Sequence, residues 1–314
     1  MFKNKVIYSE FCALVPERLD IILSESLPSY SRNQIQNWIK DGHVTINSHV
    51  IMKPKLKTKP KDLIIIQTTL SERVSDEPQN IALNIVYEDD DLLILNKPVG
   101  LVTHPGAGVE ANTLMNGLLF HCPENNVLPR AGIVHRLDKD TSGIMVVAKT
   151  NDAYHALVEA FKQRDIDKAY QALVYGQFKL SKTIDAPIGR HPQQRTKMAV
   201  IQKGKSAVSH IKIMKRFQHF THLEINIETG RTHQIRVHLA HDKHPIIGDH
   251  TYGRKPNYTH VHPEIKSWLD LQHSQLLHAY KIAFKHPSTN ELLEFEVPLE
   301  TNFAHGIELF NQYD

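Results

Sequence analysis

The chain has 314 residues, enough for one large domain or for a large and a small one. With 41% apolar and 23% charged residues it has the balance of a soluble globular protein that buries a core. The net charge of +3 and pI near 8.6 do not by themselves mark a nucleic-acid binder. No apolar run approaches the roughly 18 to 20 residues of a membrane helix, and the best, Ile144 to Ala148, is strand-sized. Met1 to Glu10 lacks the apolar region of a signal peptide. The two cysteines, Cys12 and Cys122, have no metal-binding spacing, so reduced thiols in a cytoplasmic protein are expected.

Charge is unevenly placed. Residues 1–70 hold ten Lys/Arg against six Asp/Glu, and the chain then turns acidic at Glu72, Asp76 and Glu77, which marks a module boundary. The first module, residues 1–70, reads as a small α/β unit. Pro16 and Glu17 open a helix with Leu19, Ile22 and Leu23 on one face. A second helix starts at Ser31, where Ser31 and Gln34 have capping-box spacing. Its stripe is Ile35, Trp38 and Ile39, and Gly42 ends it. Val44–Asn47 and Leu63–Gln67 look like strands on either side of an irregular lysine-rich segment.

In that segment Lys53, Lys55, Lys57, Lys59 and Lys61 fall at every second position. An extended chain would send all five ammonium groups to one side. Such an edge either blocks strand pairing or binds phosphate. Arg18 and Arg32, near the two helix starts, favour phosphate. The run Arg18-Leu19-Asp20, Ser31 to Ile35, Ile39 to Asp41 and Val44 to Asn47 resembles the S4 RNA-binding module. That resemblance implies a helix pair facing structured RNA, with Arg18, Ser31, Arg32 and Lys40 on the RNA side.

Residues 71–82 read as a linker, and a second domain occupies 83–314. Strands are expected at Ile85–Tyr87, Leu92–Asn96, Ile144–Lys149, Ala169–Tyr175 and Leu223–Ile227. Asn151 is placed to cap a helix carrying Ala153, Leu157, Ala160 and Phe161, and another helix follows Thr232. Strands outnumber helices without a βαβ rhythm. The expected class is α+β, a large mixed or antiparallel sheet preceded by the small α/β module.

Several motifs fail on inspection. His135-Arg136-Leu137-Asp138 invites a kinase comparison, but there is no Asp-Phe-Gly triplet, and Gly106 and Gly108 lack the third glycine of a phosphate loop. Gly204-Lys205-Ser206 imitates the end of a Walker A loop, yet its first glycine falls on Ala199. His233, His238, His241 and His244 have no carboxylate or cysteine at a recognised metal spacing, so no metal is expected.

Three segments combine instead: Arg130 to Gly143, containing His135-Arg136-Leu137-Asp138 and Thr141-Ser142-Gly143; Lys168-Ala169-Tyr170-Gln171-Ala172; and Glu228-Thr229-Gly230-Arg231-Thr232-His233-Gln234-Ile235-Arg236. Alone, an Asp beside an Arg is usually a surface ion pair. Together with Asn96 to Gly100 and His104-Pro105 upstream, they resemble the RluA-type pseudouridine synthases. With the S4-like module the resemblance covers nearly the whole chain.

It implies that uridine is detached at N1, turned, and rejoined through C5, with no cofactor. Asp138 would act near the ribose C1′, either by attack or by elimination to a glycal. Arg231 would be the cation that keeps Asp138 charged, and Tyr170 would stack on the base or assist proton transfer. Arg136 would fill the space the flipped uridine leaves. Lys97 either binds phosphate or braces the fold. The implied partner is 23S ribosomal RNA or the assembling large subunit, at the stem-loop near the decoding site, with no membrane. A synthase for another rRNA or tRNA uridine, or a non-catalytic assembly factor, are the alternatives.

Overall fold

The computed structural model describes residues 4–27, 30, 32–71, 77–106, 108–194, 196–253 and 260–314. The chain divides into two compact units, Met1–Val74 and Ser75–Asp314.

The first unit contains β1 (Asn4–Cys12), α1 (Leu19–Ser26), α2 (Arg32–Lys40), β2 (Val44–Ile46), β3 (His49–Val50) and β4 (Leu63–Ser71). The strands form one sheet in the order β1-β4-β2-β3. The expected apolar stripes close its core: Leu19, Leu23, Ile35 and Ile39 pack with Ile64 and Ile66, all fully buried. Each such side chain contributes about 1.5–3 kcal/mol. Strand β1 is additional to the sequence expectation and runs antiparallel to β4, from Asn4 opposite Ser71 to Cys12 opposite Leu63. Ser31, expected to cap α2, lies outside the described residues.

The lysine-rich segment is not extended. The Lys53 carbonyl accepts from the Leu56 amide and the Lys59 carbonyl from the Asp62 amide, so the chain turns twice. Thr58, almost fully buried, anchors it by donating from Oγ1 to the Glu17 carbonyl at 3.1 Å. All five lysines are exposed, and the two turns interrupt the extended chain that would place them on one strand face.

The second unit runs β5 (Ile85–Glu88), β6 (Leu92–Lys97), α3 (Leu114–His121), β7 (Ser142–Ala148), α4 (Asn151–Gln163), β8 (Asp167–Tyr175), β9 (Lys182–Asp185), β10 (Ile188–Arg190) and β11 (Met198–Val200). Then follow β12 (Val208–Arg216), β13 (Phe220–Ile227), α5 (Gln234–His241), α6 (Pro263–Asp270), β14 (Leu277–Lys285), β15 (Leu292–Glu296) and α7 (Thr301–Tyr313). Among the described residues nine strands make one sheet, β5-β6-β7-β14-β8-β13-β12-β9, with β15 also on β14. Only the β7–β14 pairing in it is parallel, so the sheet is mixed.

Strands β6 and β7 explain why this sheet has two covered faces. Leu93, Leu95, Met145 and Val147 pack with Leu114 and Leu118 of α3. Their alternating neighbours Leu92, Ile94, Ile144 and Val146 pack with Ala153 and Leu157 of α4. Helix α4 is capped by Thr150, whose Oγ1 accepts from the Ala153 amide at 3.2 Å, one residue before the expected Asn151. Residues 77–82, which composition assigns to a linker, are bound to the second unit. The Gln79 amide donates to the Asn116 carbonyl, and Asn116 Nδ2 to the Glu77 carbonyl at 2.8 Å.

Candidate active site

Asp138 sits in the loop that ends at β7. His135 anchors that loop: its Nε2 accepts from the Val146 amide at 3.0 Å and its ring stacks on Phe161. Burial pushes the His135 imidazole down to about 3, so it stays neutral and available as an acceptor. Thr103 Oγ1 donates to the Leu137 carbonyl at 2.8 Å, and the Thr141 amide closes a turn onto the Asp138 carbonyl. Gly143 has φ +117°, and a Cβ there would lie 2.1 Å from the Ala279 carbonyl oxygen. Only glycine lets β7 meet β14 directly after this loop.

The fixed cation at Asp138 is Arg236. Its Nη1 donates to Asp138 Oδ2 at 2.9 Å, while Nε and Nη2 donate to Asp249 Oδ2 and Oδ1 at 2.7 and 2.9 Å. One guanidinium therefore bridges two carboxylates, and its planar fork allows the two-nitrogen grip on Asp249 that a lysine ammonium does not offer. Burial opposes the charge on Arg236, but the Asp249 bonds and the two negative charges outweigh it and hold the group above its ordinary value. Asp249 is buried, and the Thr251 and Tyr252 amides also donate to its Oδ1. Gly248 before it has φ +79°, and a Cβ would come 2.0 Å from the Ser274 carbonyl oxygen.

Arg231, expected to be the partner of Asp138, has a different place. It precedes α5, and its Nε donates to the Ser206 carbonyl at 3.1 Å. Arg231 lies before α5, which starts at Gln234, whereas Arg236 is on the helix and reaches the Asp138 loop. Both arginines line one small pocket together with Asp138, Tyr170, Arg136 and His233.

Tyr170 projects from β8 into that pocket and is buried. Burial first, and the Asp138 charge second, push its phenol well above the ordinary value, so the hydroxyl keeps its proton. It is suited to stacking and to donating, not to abstracting a proton at neutral pH. Arg136 is exposed at the pocket mouth, and its guanidinium is in no hydrogen bond or ion pair among the described residues. A free planar cation beside the carboxylate suits insertion where a base has left.

Arg136, Tyr170 and Arg231 also line a larger cleft of about 540 Å³ whose cations include Arg130, Lys162, Arg164 and Lys168. Lys162 and Arg164 are paired with Glu159 and Glu228, both partly or largely exposed to water. Such exposed pairs are worth little and exchange readily for phosphate.

Lys97 is a brace and not a phosphate ligand. It is fully buried, and its Nζ donates to the carbonyls of Pro98, Leu101 and Lys139 at 2.8–2.9 Å. Burial lowers it to about 8, against the pull of Asp140 and Asp138. Lys97→Met leaves three carbonyls without their donor and is expected to cost about 3 kcal/mol of stability with RNA affinity unchanged. Thermal melts beside filter binding check this, and an unchanged melt with weakened binding would return Lys97 to the RNA surface.

In the first unit Arg18 and Arg32 both hold Asp20, whose side chain is fully buried, at 2.9 Å, and Gln36 Nε2 adds a bond at 2.6 Å. Burial raises the Asp20 carboxyl, but the Arg18, Gln36 and Arg32 bonds outweigh it and hold it at about 2. The two arginines remain half-exposed, with side-chain exposures of 32% and 47%. Lys40 is exposed in the last turn of α2.

The histidine cluster has ordinary partners. His233 meets Tyr252, His238 meets Ser209 and the Ala186 carbonyl, and His244 meets Asp242. Elsewhere Glu88, His121 and Cys122 place three donor atoms close together. Lys149 Nζ lies 2.9 Å from Glu88 there, so an ammonium already supplies the positive charge. No helix among the described residues is long and apolar enough to cross a membrane.

Residues 91–241 match the RNA pseudouridylate synthase family and residues 17–64 match the S4 domain. The chain is 45% identical over 293 residues to ribosomal large subunit pseudouridine synthase D of Pasteurella multocida, covering 93% of this chain and 90% of that one. Identity is also 45%, over 294 residues and with the same coverage, to the protein of that name from Escherichia coli K12. Among solved structures, human RNA pseudouridylate synthase domain containing 1 is similar at 26% identity, with a TM-score of 0.55 over 70% of this chain and 84% of that one. The α+β architecture and the matched segments lead to one assignment: the chain belongs to the RNA pseudouridine synthases, as an RluA-type isomerase with an N-terminal S4 domain.

Proposed function

We propose that this enzyme converts specific uridines to pseudouridine in the 23S RNA of the large ribosomal subunit, at the stem-loop near the decoding site. The observation that carries the target is the 45% identity, over 93% of the chain, to synthases named for the large ribosomal subunit. That span includes both the S4 match and the synthase match.

In the proposed reaction a uridine leaves its stack, at a cost of a few kcal/mol, and enters the pocket beside Asp138. Arg136 takes the vacated space. Asp138, held by the Arg236 guanidinium, acts at the sugar while Tyr170 lies against the base. Uracil turns, and its C5 replaces N1 on C1′. The C5 proton is released, and N1 regains one, so the rearrangement is balanced without an external reactant. The cationic cleft beside the pocket supports a backbone path for the flanking nucleotides.

The test is pseudouridine mapping, position by position, in RNA from cells with and without the gene. Loss of signal in 23S RNA near the decoding site is expected. Loss confined to tRNA or to another rRNA helix overturns the target, and binding without product from pure protein overturns catalysis.

Arg18, Arg32, Lys40 and the lysines 53, 55 and 57, with 59 and 61, supply the S4 unit's proposed phosphate contacts. Replacing the five lysines of the turned segment by Gln should cut the slope of log affinity against log salt by about 2 to 4. An unchanged slope in a salt titration would make them a solvated edge only.

A further inference from the structure

His233 precedes α5 in the left-handed region, at φ 58° and ψ 24°, a conformation that costs a non-glycine residue energy and fixes where its ring points. The ring lies between two oxygens. Its Nδ1 is 2.6 Å from Tyr252 Oη, and its Nε2 is 3.8 Å from Asp138 Oδ1.

The direction of the first bond follows from the other partner of Tyr252. Its Oη accepts the Met198 amide proton at 3.0 Å. A phenol has one proton to give, and His233 Nδ1 is the acceptor within reach among the described residues. Nδ1 is then the unprotonated nitrogen, and the ring proton sits on Nε2, facing the carboxylate.

We infer that Tyr252 fixes His233 as the Nε2–H tautomer, and that this N–H is a positioning group for Oδ1 of Asp138. Arg236 holds Oδ2 at 2.9 Å, so the two carboxylate oxygens are not equivalent. At 3.8 Å the N–H does not yet bind Oδ1, which leaves that oxygen its lone pairs for reaction. It nevertheless opposes rotation of the carboxylate and meets Oδ1 as negative charge returns there when the sugar is released. Burial, aided by Arg236 and Arg136 and opposed by Asp138 and Asp249, lowers the imidazole, which agrees with a neutral ring.

The inference rests on Asp138 as the acting carboxylate, and the experiment separates the two. In Tyr252→Phe the ring stays under the Arg236 guanidinium, 5.2 Å away, and only the hydroxyl is lost. The single-turnover rate is expected to fall about tenfold with RNA affinity unchanged, the worth of one net hydrogen bond. His233→Ala should fall at least as far, and His233→Gln, which keeps a side-chain N–H, should recover most of the rate. Imidazole nitrogen–proton NMR, with His233 assigned from the Gln variant, should show Nε2–H in the wild type and a tautomer mixture in Tyr252→Phe. An Nδ1–H resonance in the wild type, an unchanged tautomer in Tyr252→Phe, or a full rate in His233→Ala overturns the inference. Full activity in Asp138→Asn overturns the reading beneath it, whatever the tautomer.

Discussion

Asp138→Asn is expected to abolish pseudouridine formation, by on the order of 10⁴-fold or more, with the fold and RNA binding intact. The size follows from what the amide lacks. It carries no charge, is a poor nucleophile and does not take up a proton, so neither attack at C1′ nor elimination to a glycal is open to it. The fold should survive because Asp138 retains 18% side-chain exposure and does not fill the core. The Asn oxygen still accepts from Arg236, and Arg236 keeps both bonds to Asp249. A stability change within about 1 kcal/mol is therefore expected. Release of tritium from 5-tritiated uridine in a stem-loop RNA reads the chemistry, and a filter-binding curve reads affinity. A rate within tenfold of the wild type would remove Asp138 from the mechanism.

Which parts of this protein a reader of the sequence finds depends on the range of the interactions involved. The first two helices are legible because Leu19, Ile22, Leu23 and Ile35, Trp38, Ile39 repeat at helical spacing, a local signal. Strand β1 is not, because Val6 and Ile7 are adjacent instead of alternating and its partner β4 is far along the chain. The lysines mislead in the opposite way: a period of two holds only if the backbone is extended, and the buried Thr58 and two turns break it. Lys97 lies at the end of β6, whose first four residues are apolar, where a charge signals burial against carbonyls as readily as exposure. At the site, Asp138 and Tyr170 are found by motif, but Asp249, Tyr252 and the tautomer of His233 come from contacts that no local pattern encodes. Arg236 had a signal. It stands between Ile235 and Val237 in a short helix buried on most of its surface, where an unpaired cation is not tolerated.

That burial sets the largest stability effect. Arg236→Met is expected to lower stability by about 3–5 kcal/mol and the single-turnover rate by on the order of 10²-fold or more. The guanidinium has a side-chain exposure of 8% and Asp249 only 1%, so the variant strands a carboxylate in the core. The Thr251 and Tyr252 amides still reach Asp249 Oδ1, which places the loss short of an isolated buried charge. For a unit of this size the melting temperature should drop by on the order of 10 °C. Asp138 meanwhile loses its bond at 2.9 Å and with it the fixed charge that offsets its dehydration. Because poor folding alone also slows an enzyme, Arg236→Met, Asp249→Asn is the second variant. Neutralising the stranded carboxylate should restore much of the melting temperature and little of the rate, since Asp138 is still without its cation. Arg231→Met is the control: its bond is to the Ser206 carbonyl, so weaker RNA binding with a nearly unchanged melt is expected. Calorimetry and single-turnover assays on the three proteins decide the matter. Should Arg231→Met slow the chemical step more than Arg236→Met does at equal folded fraction, Arg231 and not Arg236 would be the cation on which Asp138 depends.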